Sequence, residues 1–464
     1  MRIIGGNYMN KRYELDMTTG PFLKKIFIFA IPMVLTGLLQ LLYNTADVVV
    51  VGKFAGKTAL AAVGSTGSLI NLILNVFIGL SMGSGVMVAR YIGAQDEEKI
   101  HKCTHTAMCI SLCAGFFVTF VGFVFSRDLL ILMNAPEDVL DKATLYLKIY
   151  FLGAPGSLLY NFGASVLRAT GDTKRPLVIL GLTGLVNVAL NLLLVIVFHL
   201  DVAGVSIATI TAQYLSAICI VWRLLRLENA CRLQISKLRF HKRAFLEIVR
   251  IGLPAGIQSA LFSISNVIIQ STVNSFGTVA MAGIAAGSNV DGYIFTCTNA
   301  VAQTAMNFTS QNIGAQKYEN VSKVYRYCLS TAFVASAVLS IIAFFLRQPI
   351  VGLFSDEAEV IAIGADRLTL ILPFYFFCSL MDVTAGQVRG MGKSVEPMVI
   401  SLLGACGSRL LWVFLILPLN RTLTMLYWSY PVSWALTFVA QTCYYLYAQH
   451  RLNKKTKSRL TTSL

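Results

Sequence analysis

The sequence predicts an all-α integral membrane protein: twelve transmembrane helices in two pseudo-symmetric six-helix lobes. Three observations predict it. The 464 residues are 56% hydrophobic and only 13% charged, about half of the roughly 25% charged share of soluble domains. Apolar runs of about 20 residues, the length that crosses a bilayer, recur from end to end. Short motifs of the first half return in the second at one fixed shift. A transmembrane β-barrel is excluded, because its strands alternate apolar and polar residues in segments of about ten.

In chain order, the polar stretch Met1 to Gly20 is expected on the membrane surface or partly ordered. The spans then fall near 24–51, 68–89, 105–125, 143–166, 177–199, 203–222, 247–275, 285–308, 327–346, 368–388, 397–418 and 425–447. Arg90, Lys99 and Lys102 follow span two; Arg168, Lys174 and Arg175 follow span four. The connection after span six carries Arg223, Arg226, Arg232, Lys237, Arg239, Lys242, Arg243 and Arg250. The alternate loops are poor in Lys and Arg, and two are acidic: Glu137, Asp138 and Asp141 in one, Asp356, Glu357 and Glu359 in the other. Positive charge stays inside, so both termini and the central linker are expected in the cytoplasm of a multi-pass protein of the cell membrane. The net charge of +16 is then a set of orienting charges and no sign of a nucleic-acid partner. Ten Cys and five His are scattered without ligand spacing, so no metal centre and no cofactor is expected.

IGAQ at Ile92–Gln95 recurs at Ile313–Gln316, and LRATGDTKRPL from Leu167 aligns with VRGMGKSVEPM from Val388. GKTALAAVG from Gly56 aligns with GTVAMAGIA from Gly277, and all three pairs share a shift of 221. One shift in three places predicts a duplication: lobes at 1–222 and 247–464, joined by the basic linker 223–246. Six spans per half is an even number. The halves therefore share orientation and should be related by an axis along the membrane normal, an architecture suited to alternating access. A membrane enzyme would need a nucleophile, a metal cluster or paired acids at a span mouth, and none is seen.

Span one carries a carboxylate, Asp47, in an otherwise apolar run. A charge in hydrocarbon costs roughly 2.5–3.5 kcal/mol on insertion scales, so it is kept for a job and wants polar partners. Asn187 and Asn191 in span five share one helical face. Span six offers Thr209 and Thr211. At 1.5 Å per residue, Asn191 sits roughly 21 Å from the cytoplasmic end of its span. Thr209 sits roughly 9 Å below the outer surface. In a core of about 30 Å these levels agree with Asp47 near the outer end of span one. The set is oxygen-rich and singly negative, suited to a monovalent cation or a proton. The bland alternatives are amides that merely link helices, a Thr bonded to its own backbone and an interfacial Asp.

The second lobe does not copy this set: the same shift carries Asn187 and Asn191 to Ser408 and Trp412. It offers Asp382 in span ten, Arg409 in span eleven and Gln258 in span seven, either as a neutralised buried pair with a polar neighbour or as a second coupling or substrate site. GQVRGMGKS from Gly386 imitates a phosphate loop, but Gln387 stands where a glycine belongs and no strand precedes it.

YNTADVVVVGKFAG near the start, IGAQDEEK, LRATGDTKRP, the span-five amides and the duplicated halves together resemble the multidrug and toxic compound extrusion (MATE) transporters, bacterial branch. The likeness covers residues 20–447. It implies a monomeric antiporter that expels bulky, often cationic or aromatic drug-like compounds on a Na+ or H+ gradient. It also implies that Asp47, Asn187, Asn191 and Thr209 form the site for that Na+ or proton. Some branches carry a second-lobe carboxylate on the seventh helix; here that span, after Pro254, has Gln258 and Phe262 and no acid. The rival on the same fold is a flippase or exporter of a lipid-linked or metabolite substrate, which would call for a cationic cavity.

Overall fold

The structure, a computed structural model, describes residues 14–133 and 136–462. Residues 1–13, which make up most of the expected surface segment, lie outside the described residues. So do the side chains of the basic tail beyond Lys454. Among the described residues there are helices and turns and no strand. The helices are α1 (Phe22–Val50), α2 (Lys57–Ala94), α3 (Glu97–Leu132), α4 (Glu137–Leu152), α5 (Ala154–Ala169), α6 (Lys174–Leu192) and α7 (Asp201–Leu225). There follow α8 (Lys242–Asn274), α9 (Thr278–Gly314), α10 (Tyr318–Phe345), α11 (Arg347–Gly352), α12 (Ala358–Ile371) and α13 (Tyr375–Gly390). The last are α14 (Val395–Ser401), α15 (Ser408–Leu411) and α16 (Leu423–Thr462). Among the described residues, nine helical stretches are long and apolar enough to cross a membrane. The expected spans four, eight and twelve are helical too. The fourth is divided at Gly153 into two 16-residue helices, and α9 and α16 are continuous helices whose apolar runs are broken by polar residues.

Contacts divide the chain into two compact units. One takes the described residues up to Asp16 with Leu35–Ala260; the other takes Met17–Val34 with Leu261–Leu464. In the first, α5 is central and packs against α2, α3 and α7. A Cβ added to Gly163 would come within 2.9 Å of Ile220 on α7, and one on Gly115 of α3 within 2.5 Å of Pro155. Where lipid removes the hydrophobic drive between helices, such small residues supply the close packing. In the same unit α2 meets α8 backbone to backbone: a Cβ on Gly79, Gly83, Gly252 or Gly256 would lie 2.3–2.6 Å from the opposite main chain. In the second unit α13 holds the central place, against α9, α10 and α16. Gly386 and Gly390 there admit the carbonyls of Ala302 and Met306.

The repeat seen in the sequence is a repeat of backbone geometry. Left-handed φ values occur at Gln95 and Gln316 (both 57°), Gly56 and Gly277 (86° and 99°) and Gly171 and Gly392 (92° and 88°). Each pair keeps the shift found in the sequence. The six-to-one hydrogen bonds that close helices before such residues are repeated as well. Asp96 N donates to Tyr91 O as Lys317 N does to Asn312 O, and Asp172 N donates to Leu167 O as Lys393 N does to Val388 O. Side-chain neighbours follow the same shift: the hydroxyls of Thr183 and Ser216 bond at 2.7 Å, and at the shifted positions Gly404 abuts Thr437.

Two polar segments are tied down by contacts to the helices. The described end of the Met1–Gly20 stretch does not lie free on a surface, because Met17 and Thr18 are buried. Met17 N donates to Gln311 Oε1 at 3.3 Å, Met17 O accepts from Asn312 at 2.8 Å, and Thr18 O accepts from Lys317 and Asn320. Backbone outside a helix must spend its polar groups somewhere; here Gln311 and Asn312 of α9, with Lys317 and Asn320 beyond it, receive them. The His residues, dispersed in sequence, are partly gathered. His101 and His105 stack at 3.8 Å, the buried His105 accepts from Gln234 N at 3.1 Å, and His241 N donates to Thr106. They fasten the basic linker to the base of α3. Among the described residues no group of His, Cys, Asp or Glu is placed to hold a metal.

Candidate functional site

Asp47 lies four residues before the π-helical turn Val51–Ala55 that ends α1, and Asn191 two residues before the π turn Leu193–Val197 that ends α6. Such wide turns recur at functional sites because they redirect side chains out of the α register. Tyr43, one turn before Asp47, docks α1 on α6. Its hydroxyl donates to Gly181 O at 3.0 Å, and its ring fills the space beside Gly184, where a Cβ would be 1.9 Å away. This contact sets Asp47 level with Asn191.

The structure brings the four first-lobe residues into one network. Asn191 Nδ2 donates to Asp47 Oδ1 and to Asn187 Oδ1 at 3.4 Å. Thr209 Oγ1 stands 3.5 Å from Asp47 Oδ2, and Asn187 Nδ2 3.5 Å from Thr209 Oγ1. Asn187 and Asn191 are buried; Asp47 and Thr209 are half-buried. Thr209 also bonds its own helix at Val205 O. Thr211 does only that, at Ile207 O, and stays outside the network. Asn191 Oδ1 is buried and has no hydrogen-bond partner. An orphaned carbonyl oxygen beside a carboxylate, a second amide oxygen and a hydroxyl is a donor set that fits a small hard monovalent cation, or a proton on Asp47.

The second-lobe residues are not gathered in this way. Gln258 is buried and belongs to the first unit, whereas Asp382 and Arg409 belong to the second. Asp382 and Arg409 form no ion pair with each other. Arg409 Nε donates to Ser433 Oγ at 2.8 Å, its guanidinium lies 4.5 Å from the centre of the Tyr430 ring, and Asp382 Oδ2 is buried without a hydrogen bond. Asp291 of α9 and Arg367 of α12 do form a buried ion pair in this unit, at 2.6 Å. Tyr375 donates to the backbone carbonyl of Asp291. Sequence reasoning missed this pair. Asp291 stood in plain view inside an apolar run, but Arg367 fell one residue before the expected start of span ten.

The profile of the MatE family matches residues 32–193 and again 254–415, so each half of the chain carries a match. The chain belongs to the MatE family. This is a family of membrane transporters, and the twice-matched profile agrees with the duplication. Over 94% of its length the chain is 26% identical to a probable multidrug resistance protein, YoeA of Bacillus subtilis, of which it covers 96%. It is 25% identical to an FAD transporter of Shewanella oneidensis, covering 79% of this chain and 82% of that one. Among solved structures it resembles a MOP superfamily transporter of Pyrococcus furiosus, with TM-score 0.88 at 20% identity, covering 94% and 98% of the two chains. That likeness shows the fold.

Proposed function

We propose that this MatE protein is an antiporter. It exchanges Na+ or H+ bound at Asp47, Asn187, Asn191 and Thr209 for bulky aromatic or cationic compounds, which it exports across the cell membrane. In this reading both termini are cytoplasmic and the monomer is the working unit. The observation that carries it is the contact of Asp47 with Asn191 and Thr209 beside the unbonded Asn191 oxygen. The name of the Bacillus subtilis relative, a probable multidrug resistance protein, supports the substrate class.

Exchange needs an ion that prefers one state of the carrier, since an ion held equally in both shifts nothing. An ion taken from outside satisfies the Asn191 oxygen and neutralises Asp47, favouring drug release. Its loss on the cytoplasmic side restores the drug-binding state. The test is uptake of a fluorescent cationic dye into liposomes under an imposed Na+ or H+ gradient. Wild type moves dye on one of the two gradients and Asp47→Asn on neither. Equal transport by the two proteins under every gradient would sink the coupling role.

A second reading, metabolite export, is favoured by the Shewanella relative named as an FAD transporter. It keeps the ion site and changes the cargo.

A further inference from the structure

The ion site has a counterpart position in the second unit. The shift of 221 that relates the turns, and that maps Thr183 and Ser216 onto Gly404 and Thr437, carries Asp47 to Ile268, Asn187 to Ser408, Asn191 to Trp412 and Thr209 to Tyr430. The carboxylate and both amides are gone. In their place a guanidinium, Arg409, lies against the ring of Tyr430 at 4.5 Å and that of Trp434 at 5.7 Å. Arg409 rides on the four residues of α15, between the π turns Leu402–Gly407 and Trp412–Ile416. It is 5% exposed.

The charges do not balance locally. Arg367 is committed to Asp291 at 2.6 Å. Arg409 forms no ion pair with that carboxylate or with Asp382. Of its five N–H donors only Nε–H is bonded among the described residues, to Ser433, and no carboxylate lies within ion-pair distance. A buried guanidinium in that condition is costly unless a ligand completes it. A carboxylate or phosphate accepts the fork of its terminal N–H groups, and the rings beside it offer faces for a planar guest.

We propose that the second unit holds an oxyanion subsite, Arg409 framed by Tyr430 and Trp434, that takes the carboxylate or phosphate of an aromatic compound. This rests on the transport reading and adds anionic aromatics to its substrates. Binding is measured without any ion gradient, so it stands or falls apart from the coupling role of Asp47.

The test is equilibrium binding of FMN and of riboflavin, alike but for the phosphate, to the purified full-length protein. Wild type binds FMN about tenfold or more tighter, as one charge-assisted contact allows. Arg409→Gln brings the ratio to about one, with an unchanged or higher melting temperature. Arg409→Lys keeps the charge without the fork and falls between, which answers the question should the Gln variant not fold. A wild-type ratio near one, or a ratio untouched in Arg409→Gln, overturns the subsite. The same measurement in nanodiscs of phosphatidylcholine and of phosphatidylglycerol separates the sources of the oxyanion. Preference retained in both supports the aromatic solute, and preference lost only in phosphatidylglycerol assigns Arg409 to a lipid phosphate and overturns the solute.

Discussion

At matching places the two units hold opposite charges on one scaffold. In the first, a carboxylate is met by an amide and a hydroxyl, and a second amide bonds both of these. In the second, a guanidinium is met by two aromatic rings and a hydroxyl. The turns, the central helices and the glycine contacts are the same in kind on both sides. Architecture here is set by close backbone packing and by the left-handed turns, and neither depends on the polar residues of the site. The site could therefore diverge without cost to the fold.

The strongest way to break this comparison is transport. Asp47→Asn should reduce gradient-driven dye movement to the level of protein-free liposomes, while Arg409→Gln should leave movement of a cationic dye gradient-driven. If both variants lose the response to the gradient, the two places are not divided into ion and substrate roles.

Stability separates the two arginines next. Arg367→Gln leaves Asp291 buried without its partner and should cost about 3–5 kcal/mol, read as a large fall in melting temperature in detergent. Arg409→Gln removes an unpaired charge and should cost nothing or stabilise. Equal losses would mean that Arg409 has a partner in the free protein. Smaller effects follow at the shared helix contact. Gly404→Ala pushes a Cβ to 2.4 Å from Thr437 Oγ1, an overpacking worth about 1–3 kcal/mol. Thr183→Ala loses the hydrogen bond across to Ser216, about 0.5–1.5 kcal/mol, together with the hydroxyl's contact to its own helix at Ile179 O, while Ser216 keeps its bond to Ala212 O. Smallest are the turns. Gln95→Gly and Gln316→Gly should each stabilise slightly and alike, by about 1 kcal/mol or less, because both residues hold a left-handed φ that Gly adopts freely. Gly392→Ala should do the reverse.

The sequence made the class, the repeat and the first-lobe network legible because each rests on a signal that one dimension preserves: run length, a fixed shift, and a spacing of four on a helix whose depth can be counted. Asn187, Asn191 and Thr209 could be placed against Asp47 by that counting alone. The pairing of Asp291 with Arg367 could not. Which buried acid meets which base depends on helix rotation, and two π turns flanking Arg409 alter that rotation in a way no periodicity shows. The burial of Met17 and Thr18 was hidden for a related reason: a polar segment reads as surface until the amides that receive its backbone, Gln311 and Asn312, are brought beside it.

The meeting of α2 and α8 carries a consequence for how this chain can vary. Gly79, Gly83, Gly252 and Gly256 each face main chain at 2.3–2.6 Å from where a Cβ would stand. Every amino acid reachable from a glycine codon by one base change has a Cβ. All four positions are therefore shut to single-step mutation, and no flexible side chain opposite can yield to make room. Selection for altered export would have to work elsewhere, on the faces that meet lipid or cargo, while this crossing stays silent in any collection of surviving variants.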